Sequence, residues 1–145
     1  MASIREQILS AILTALNTGR PQGVPQATRE GKEYESSQLP SVTIRPQGEV
    51  VGQVHGRRGL IRGRQLKVVV ECRGSGNIPD QALDTYLVWI TKALDGNTLN
   101  GLANDMVEEG QITWLSEIAD KTYGMATVEF TVYYQTKKGD QESRN

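Results

Sequence analysis

The sequence predicts an α+β fold: two layers, with a mainly antiparallel four-stranded sheet and two helices on one face. Three observations carry this. Two segments place apolar residues at helical spacing. Each is followed by a pair of segments in which apolar and polar residues alternate. Stretches rich in Gly and Pro separate them. The resulting order, α-β-β-α-β-β, suggests hairpin-joined strand pairs covered by helices. Both helices and both pairs are needed for one core, so residues 1–136 read as a single domain. A chain of 145 residues is also the size of one domain.

The first helix is expected over residues 4–17. Ser3-Ile4-Arg5-Glu6 reads as a capping box, in which the Ser3 hydroxyl accepts from the Glu6 N–H. Ile4, Ile8, Leu9, Ile12, Leu13 and Leu16 then form one apolar stripe. Gly19 stands where a left-handed cap is expected, and Pro21 stops the helix. Residues 19–40 read as a long loop, with an edge strand around Thr28–Tyr34 as an option. Ser41–Arg45 reads as a strand, with Val42 and Ile44 on one face. Pro46–Gly63 carries five glycines and reads as irregular, with a long β-hairpin as its structured option. Gln65–Arg73 is a firm strand: Leu66, Val68, Val70 and Cys72 share one face, and Lys67, Val69, Glu71 and Arg73 the other.

Pro79 fits the first position of the second helix, and Asp80 suits its positive end. Leu83, Leu87, Ile90 and Leu94 form its stripe, and Gly96 ends it. Gln111–Ile118 reads as the third strand, with Ile112, Trp114 and Ile118 on one side. Met125–Thr136 is the fourth and most regular, with Ala126, Val128, Phe130, Val132 and Tyr134 facing one way. Residues 137–145 contain no apolar side chain and read as a disordered tail.

Composition excludes several function classes. With 16 Lys+Arg and 17 Asp+Glu the net charge is −1, unlike the strong positive charge of dedicated nucleic-acid or membrane-surface proteins. One Cys (Cys72) and one His (His55) cannot build an intrachain disulfide, a cysteine-cage zinc site or a multi-histidine metal site. No stretch approaches the ~18 apolar residues of a membrane span. The N-terminus lacks the basic start and apolar run of a signal peptide, so a reducing cytoplasm is the expected setting.

No phosphate-binding loop or nucleophile elbow is present. His55 lies in a Gly-rich segment that offers no support for a catalytic base. Glu108-Glu109, Asp80 with Asp84, and Glu33 with Glu35 are carboxylate pairs without a metal-binding register. The expectation is therefore no catalytic, cofactor or metal site, and no enzyme activity. The polar feature that stands out is Arg57, Arg58, Arg62 and Arg64, with Lys67 beyond them. It suits a charged subunit interface, a phosphate-backbone contact, or a solvated loop. Val69 and Tyr133 fall on the half-polar face of the predicted sheet, a second candidate docking surface.

The element order and several local strings resemble the tail-terminator family of long-tailed phages, the minor tail protein U group and its prophage relatives. The strings are the helix Ile4–Leu16, Leu39-Pro40-Ser41-Val42-Thr43-Ile44 and Val68-Val69-Val70-Glu71-Cys72. The helix Asp80–Leu94, Leu99-Asn100-Gly101-Leu102-Ala103, Ala119-Asp120 and the closing Thr127–Thr136 complete the likeness. The Gly/Arg-rich stretch 47–64 is longer than the family pattern. The resemblance implies a structural virion protein. It would form a homo-oligomeric, hexameric ring that caps the tail tube, ends polymerisation and presents the head-joining surface. Its partners would be itself, the tail-tube protein and a head-completion or neck protein, with DNA passing through the ring and no membrane contact. Its location would be the virion tail, and the host cytoplasm during assembly. Another head–tail connector, or a small cytoplasmic ligand-binding domain or enzyme with a cleft beside the second helix, is the alternative.

Overall fold

The computed structural model describes residues 2–22, 24–29, 41–53, 61–75, 79–118 and 122–144. It corrects the expected four-stranded sheet. Among the described residues, two helices accompany a curled, mixed seven-stranded sheet. The elements run α1 (Ile4–Thr18), β1 (Ala27–Thr28), β2 (Ser41–Gln53), β3 (Ile61–Ser75), α2 (Pro79–Leu94), β4 (Asp105–Glu108), β5 (Thr113–Ile118), β6 (Thr122–Lys137) and β7 (Asp140–Arg144). The order is therefore α-β-β-β-α-β-β-β-β, where α-β-β-α-β-β was expected.

The sheet is organised around β6. One of its edges pairs with β3 along the whole of β3, from Ile61↔Lys137 to Ser75↔Tyr123. Its other edge is shared by three short strands, β5, β4 and β7. β2 pairs antiparallel with β3, and β1 adds a short parallel edge at Ala27↔Val42. Two of the additions had no clear sequence signal. β4 is only four residues, and β7 stands where residues 137–145 were expected to be disordered. An all-polar strand such as β7 is held by ladder hydrogen bonds to β6, which composition does not report.

The stretch from Pro46 to Gly63, expected to be irregular, supplies much of a long β2–β3 hairpin. Pro46 lies within β2, and a bulge follows between Pro46 and Gly48. Proline is tolerated there because β2 is an edge strand beyond β1.

The inner face of the sheet carries Val42, Ile44, Leu66, Val68, Val70, Cys72, Ala126, Val128, Phe130, Val132 and Tyr134, all buried. They form one cluster with Ile4, Ile8, Leu9, Ile12 and Leu16 of α1 and Leu83, Leu87, Ile90 and Leu94 of α2. The predicted stripes thus face the core, and both helices lie on this face. Ser3 caps α1 as read, with its Oγ accepting from Glu6 N at 3.1 Å. Gly19 is not left-handed (φ −103°), whereas Gly96 beyond α2 is (φ +78°). Gly74 on β3 admits α2 closely: a methyl there would lie 3.3 Å from Leu83 Cδ2. Leu99, Asn100 and Gly101 are left-handed in succession (φ +54°, +56° and +88°). Buried Leu99 anchors this strained turn, and Asn97 Oδ1 accepts from Leu99 N at 2.8 Å.

Length decides what the helices leave uncovered. At ~3.3 Å per residue the 15 residues of β3 span about 50 Å, whereas the 16 residues of α2 span about 24 Å at ~1.5 Å each. One helix therefore cannot cover the whole hairpin: Val50 and Val51 of β2 are exposed, while Ile61 of β3 and Thr136 of β6 remain buried.

Phe130 is fully buried at the middle of β6. Phe130→Ala should lower the unfolding free energy by about 4 kcal/mol, read from urea denaturation at constant m-value. Burial, with Glu71 as a lesser cause, pushes the Cys72 thiol up from its ordinary 9.0 to about 12. The stability protected by the protonated thiol is whole below pH 9 and is lost as pH rises toward 12. Thermal melts should therefore fall progressively above pH 9. The folded protein should leave a thiol reagent unreacted at pH 8, whereas the denatured chain should consume it.

Candidate interface

The expected interface residues separate into three environments. Arg57 and Arg58, like His55, lie outside the described residues. Arg62 and Arg64 fall on the helix-covered face of β3, as strand partners of Gln53 and Val51. Lys67, Val69 and Tyr133 fall on the opposite, outer face.

Arg64 is not a free cation. Its side chain is only 10% exposed and Glu49 beside it 13%. Arg64 Nη1 donates to Glu49 Oε2 at 3.0 Å, and Arg64 Nε to Thr136 Oγ1 at 2.8 Å. The Tyr134 hydroxyl donates to Glu49 Oε1. Arg5 of α1 approaches Glu49 Oε2 at 3.5 Å and also donates to Gln141 of β7. A single carboxylate thus ties β2, β3, β6 and α1 together, and through Arg5 reaches β7. Burial, then the bond to Glu49, holds the Tyr134 phenol well above its ordinary range. The cluster sits where the apolar inner face ends, next to Leu66, the strand partner of Glu49. It fixes the root of the β2–β3 hairpin.

The outer face is mixed. Val69 is buried there between its strand partners Arg45 and Glu129. Glu71, nearly buried, is flanked by Arg73 at 3.4 Å and Arg45 at 3.6 Å. Lys67 is exposed between Gly48 and Thr131. Tyr133 donates its hydroxyl to Glu109 Oε2 at 2.9 Å, and that bond raises its phenol above the ordinary value. Val69 is therefore part of the fold, while Lys67 and Tyr133 remain at the surface.

Two further surfaces were not singled out from the sequence. The first lies on β2 of the hairpin. Val50 and Val51 point to opposite faces of β2, yet are 59% and 48% exposed, so neither face is covered there. A valine pair inside a Gly- and Arg-rich stretch was the available signal. The second is a groove of ≈ 660 Å³ between α2 and the start of β5. Leu87, Val88, Ile112 and Trp114 wall it, with Asp84 and Asp95 at its rim. Trp114 and Ile112 were expected to share a strand face and are 44% and 45% exposed. Val88 lies off the core stripe of α2, which was a legible sign of exposure.

The groove is shaped by the turn before β5. Gly110 has φ +115°, and a methyl there would lie 2.0 Å from Glu129 Oε2. That same oxygen accepts from Gln111 N at 3.0 Å. Asp95 Oδ1 accepts from Glu108 N at 3.0 Å, which ties the end of α2 to β4. Among the described residues no group of three or more His, Cys, Asp or Glu is placed to hold a metal ion. No described helix is long and apolar enough to cross a membrane.

No protein-family model matches the chain, and no curated protein matches its sequence.

The Glu49–Arg64 pair offers a test of these assignments. Glu49→Gln should cost about 2–3 kcal/mol, because it strips the nearly buried Arg64 guanidinium of its counter-ion. Glu49→Leu combined with Arg64→Met should cost less than Glu49→Gln alone. Chemical denaturation of the three variants in a thermodynamic cycle reads the coupling.

Proposed function

We propose that this chain is a structural virion protein that assembles as a homo-oligomeric ring on the end of a phage tail tube. In this role it ends tube polymerisation and presents the surface for a head-completion or neck protein. The reading also takes the protein to be no enzyme, and places it in the virion tail, with assembly in the host cytoplasm. It rests on the sequence resemblance to tail terminators described above.

The observation that carries it is the β2–β3 hairpin. Its root is pinned by the Glu49 cluster, and Val50 and Val51 of its β2 strand are exposed on opposite faces. An ordered arm with exposed valines is poorly suited to an isolated monomer and well suited to a subunit that completes its surface with neighbours. The groove beside α2 favours the second reading, a small ligand-binding domain, because its volume lies within the ~300–1,000 Å³ of ligand pockets.

Light scattering after size exclusion, across a concentration series, is the deciding measurement. The expected result is a hexamer or a monomer–hexamer equilibrium, and capped ends when purified tail tubes are added. A monomer at every concentration, with tubes left uncapped, overturns the proposal and favours the ligand-binding domain.

A further inference from the structure

We propose that α2 packs antiparallel on α2 of a second copy of this chain, about a two-fold axis at Val88. The contact goes beyond the ring and does not rest on it. A two-fold contact uses one surface on both copies and closes at two, whereas a ring joins two different surfaces.

Shape gives the first argument. Of the five large apolar side chains that are exposed among the described residues, three meet beside α2: Val88, Ile112 and Trp114. Asp84, Val88 and Lys92 form one ridge along the helix, because residues four apart stack on the same face. Leu87, Thr91 and Asp95 form the next ridge. The ≈ 660 Å³ groove runs between these two ridges, with Ile112 and Trp114 as its far wall. Ridges of this kind seated in the grooves of a second helix are the commonest helix packing, with axes ~8–10 Å apart. The partner's Val88 ridge therefore enters the groove against Trp114 and Ile112, and its own groove receives the same ridge in return.

Charge gives the second argument, and it names the occupant. Asp84 and Lys92 stand four residues to either side of Val88. Eight residues rise ~12 Å along a helix, too far for the two to pair within one copy. Among the described residues neither forms an ion pair. With the helices antiparallel and Val88 on the axis, Asp84 of each copy lies level with Lys92 of the other. The pair is thus made twice. Thr85 lies level with Thr91, and Asp95 with the neutral Gln81. Asp95 is already engaged, accepting from Glu108 N. Parallel helices would set Asp84 on Asp84 and Lys92 on Lys92, which is disfavoured. The ridge is its own complement in one orientation only.

A contact one helix wide falls at the low end of interface sizes and binds weakly, so it is read by covalent trapping at high protein concentration. The reporter is Val88→Cys in the full chain, since Val88 is exposed and the native Cys72 is buried. A short bis-maleimide linker should join two reporter chains. Adding Asp84→Lys or Lys92→Asp to the reporter should cut the yield by about tenfold, because each opposes like charges twice. Mixing those two chains should restore the yield, and so should one chain carrying both reversals. Both positions are exposed, so melting temperatures should stay unchanged. Where a reversal does lower the melt, Asp84→Asn and Lys92→Gln take its place, and each should still reduce linkage. No reporter adduct, an adduct indifferent to the single changes, or reversals that neither route restores overturns the proposal. Rings or capped tubes without this charge pattern sink the α2 contact and leave the ring standing. The pattern in a protein that never caps tubes sinks the tail role and leaves the contact standing.

Discussion

The β3–β6 ladder is the constraint on which the rest of the molecule depends. Once β3 has taken the whole of one edge of β6, the other edge can only be shared, and β5, β4 and β7 divide it. The connection through α2 must then cross the inner face to reach β4. Gly96 N donates to Met106 O there, and Asn104 N to Tyr133 O, so the helix end is fixed to the far side of the sheet. These bonds place the exposed side of α2 beside the start of β5. The groove is a consequence of the ladder and needed no separate device.

The same ladder is longer than any helix laid on it. A strand gains about twice the length per residue of a helix, so two helices of 15 and 16 residues leave part of the sheet bare. At that boundary the inner face changes character within one strand pair, from Leu66 to Arg64. Glu49 collects Arg64, Tyr134 and Arg5 at this line. Such a cluster adds little net stability compared with an apolar substitute, but removing one member leaves another uncompensated. Its effect is to fix the β2–β3 hairpin against β6 and α1.

The outer face and the arm do different work in the tail-terminator reading. The outer face is partly self-satisfied, through Glu71 with its two arginines and Tyr133 with Glu109. The hairpin and the groove carry exposed apolar side chains, Val50 and Val51 on the one and Val88, Ile112 and Trp114 on the other. Surfaces of the second kind gain the most from burial against a neighbour. Arg64, expected as interface charge, is withdrawn into the root of the hairpin against Glu49.

The sequence by itself determined the two helices, their caps at Ser3 and Gly96, and the inner faces of residues 41–45, 65–73 and 125–136. Each of these rests on local spacing, and burial of one face follows from it. It did not determine the number or length of the strands. The glycines of Pro46–Gln53 have weak strand preference, and pairing with β3 makes those residues extended. Nor did it determine β4 and β7, whose few residues are strands because β6 offers them a free edge. The fate of individual side chains was also decided at the tertiary level. Arg64 looked like surface charge, but hairpin register sets it against Glu49, fifteen residues earlier in the chain. Trp114 and Ile112 were expected to share one side of a strand, and the fold sets them beside the exposed side of α2, where both stay about half exposed. A side chain's type states what it would gain from burial or pairing. Which partner stands opposite it is set by register and by the unequal lengths of strand and helix.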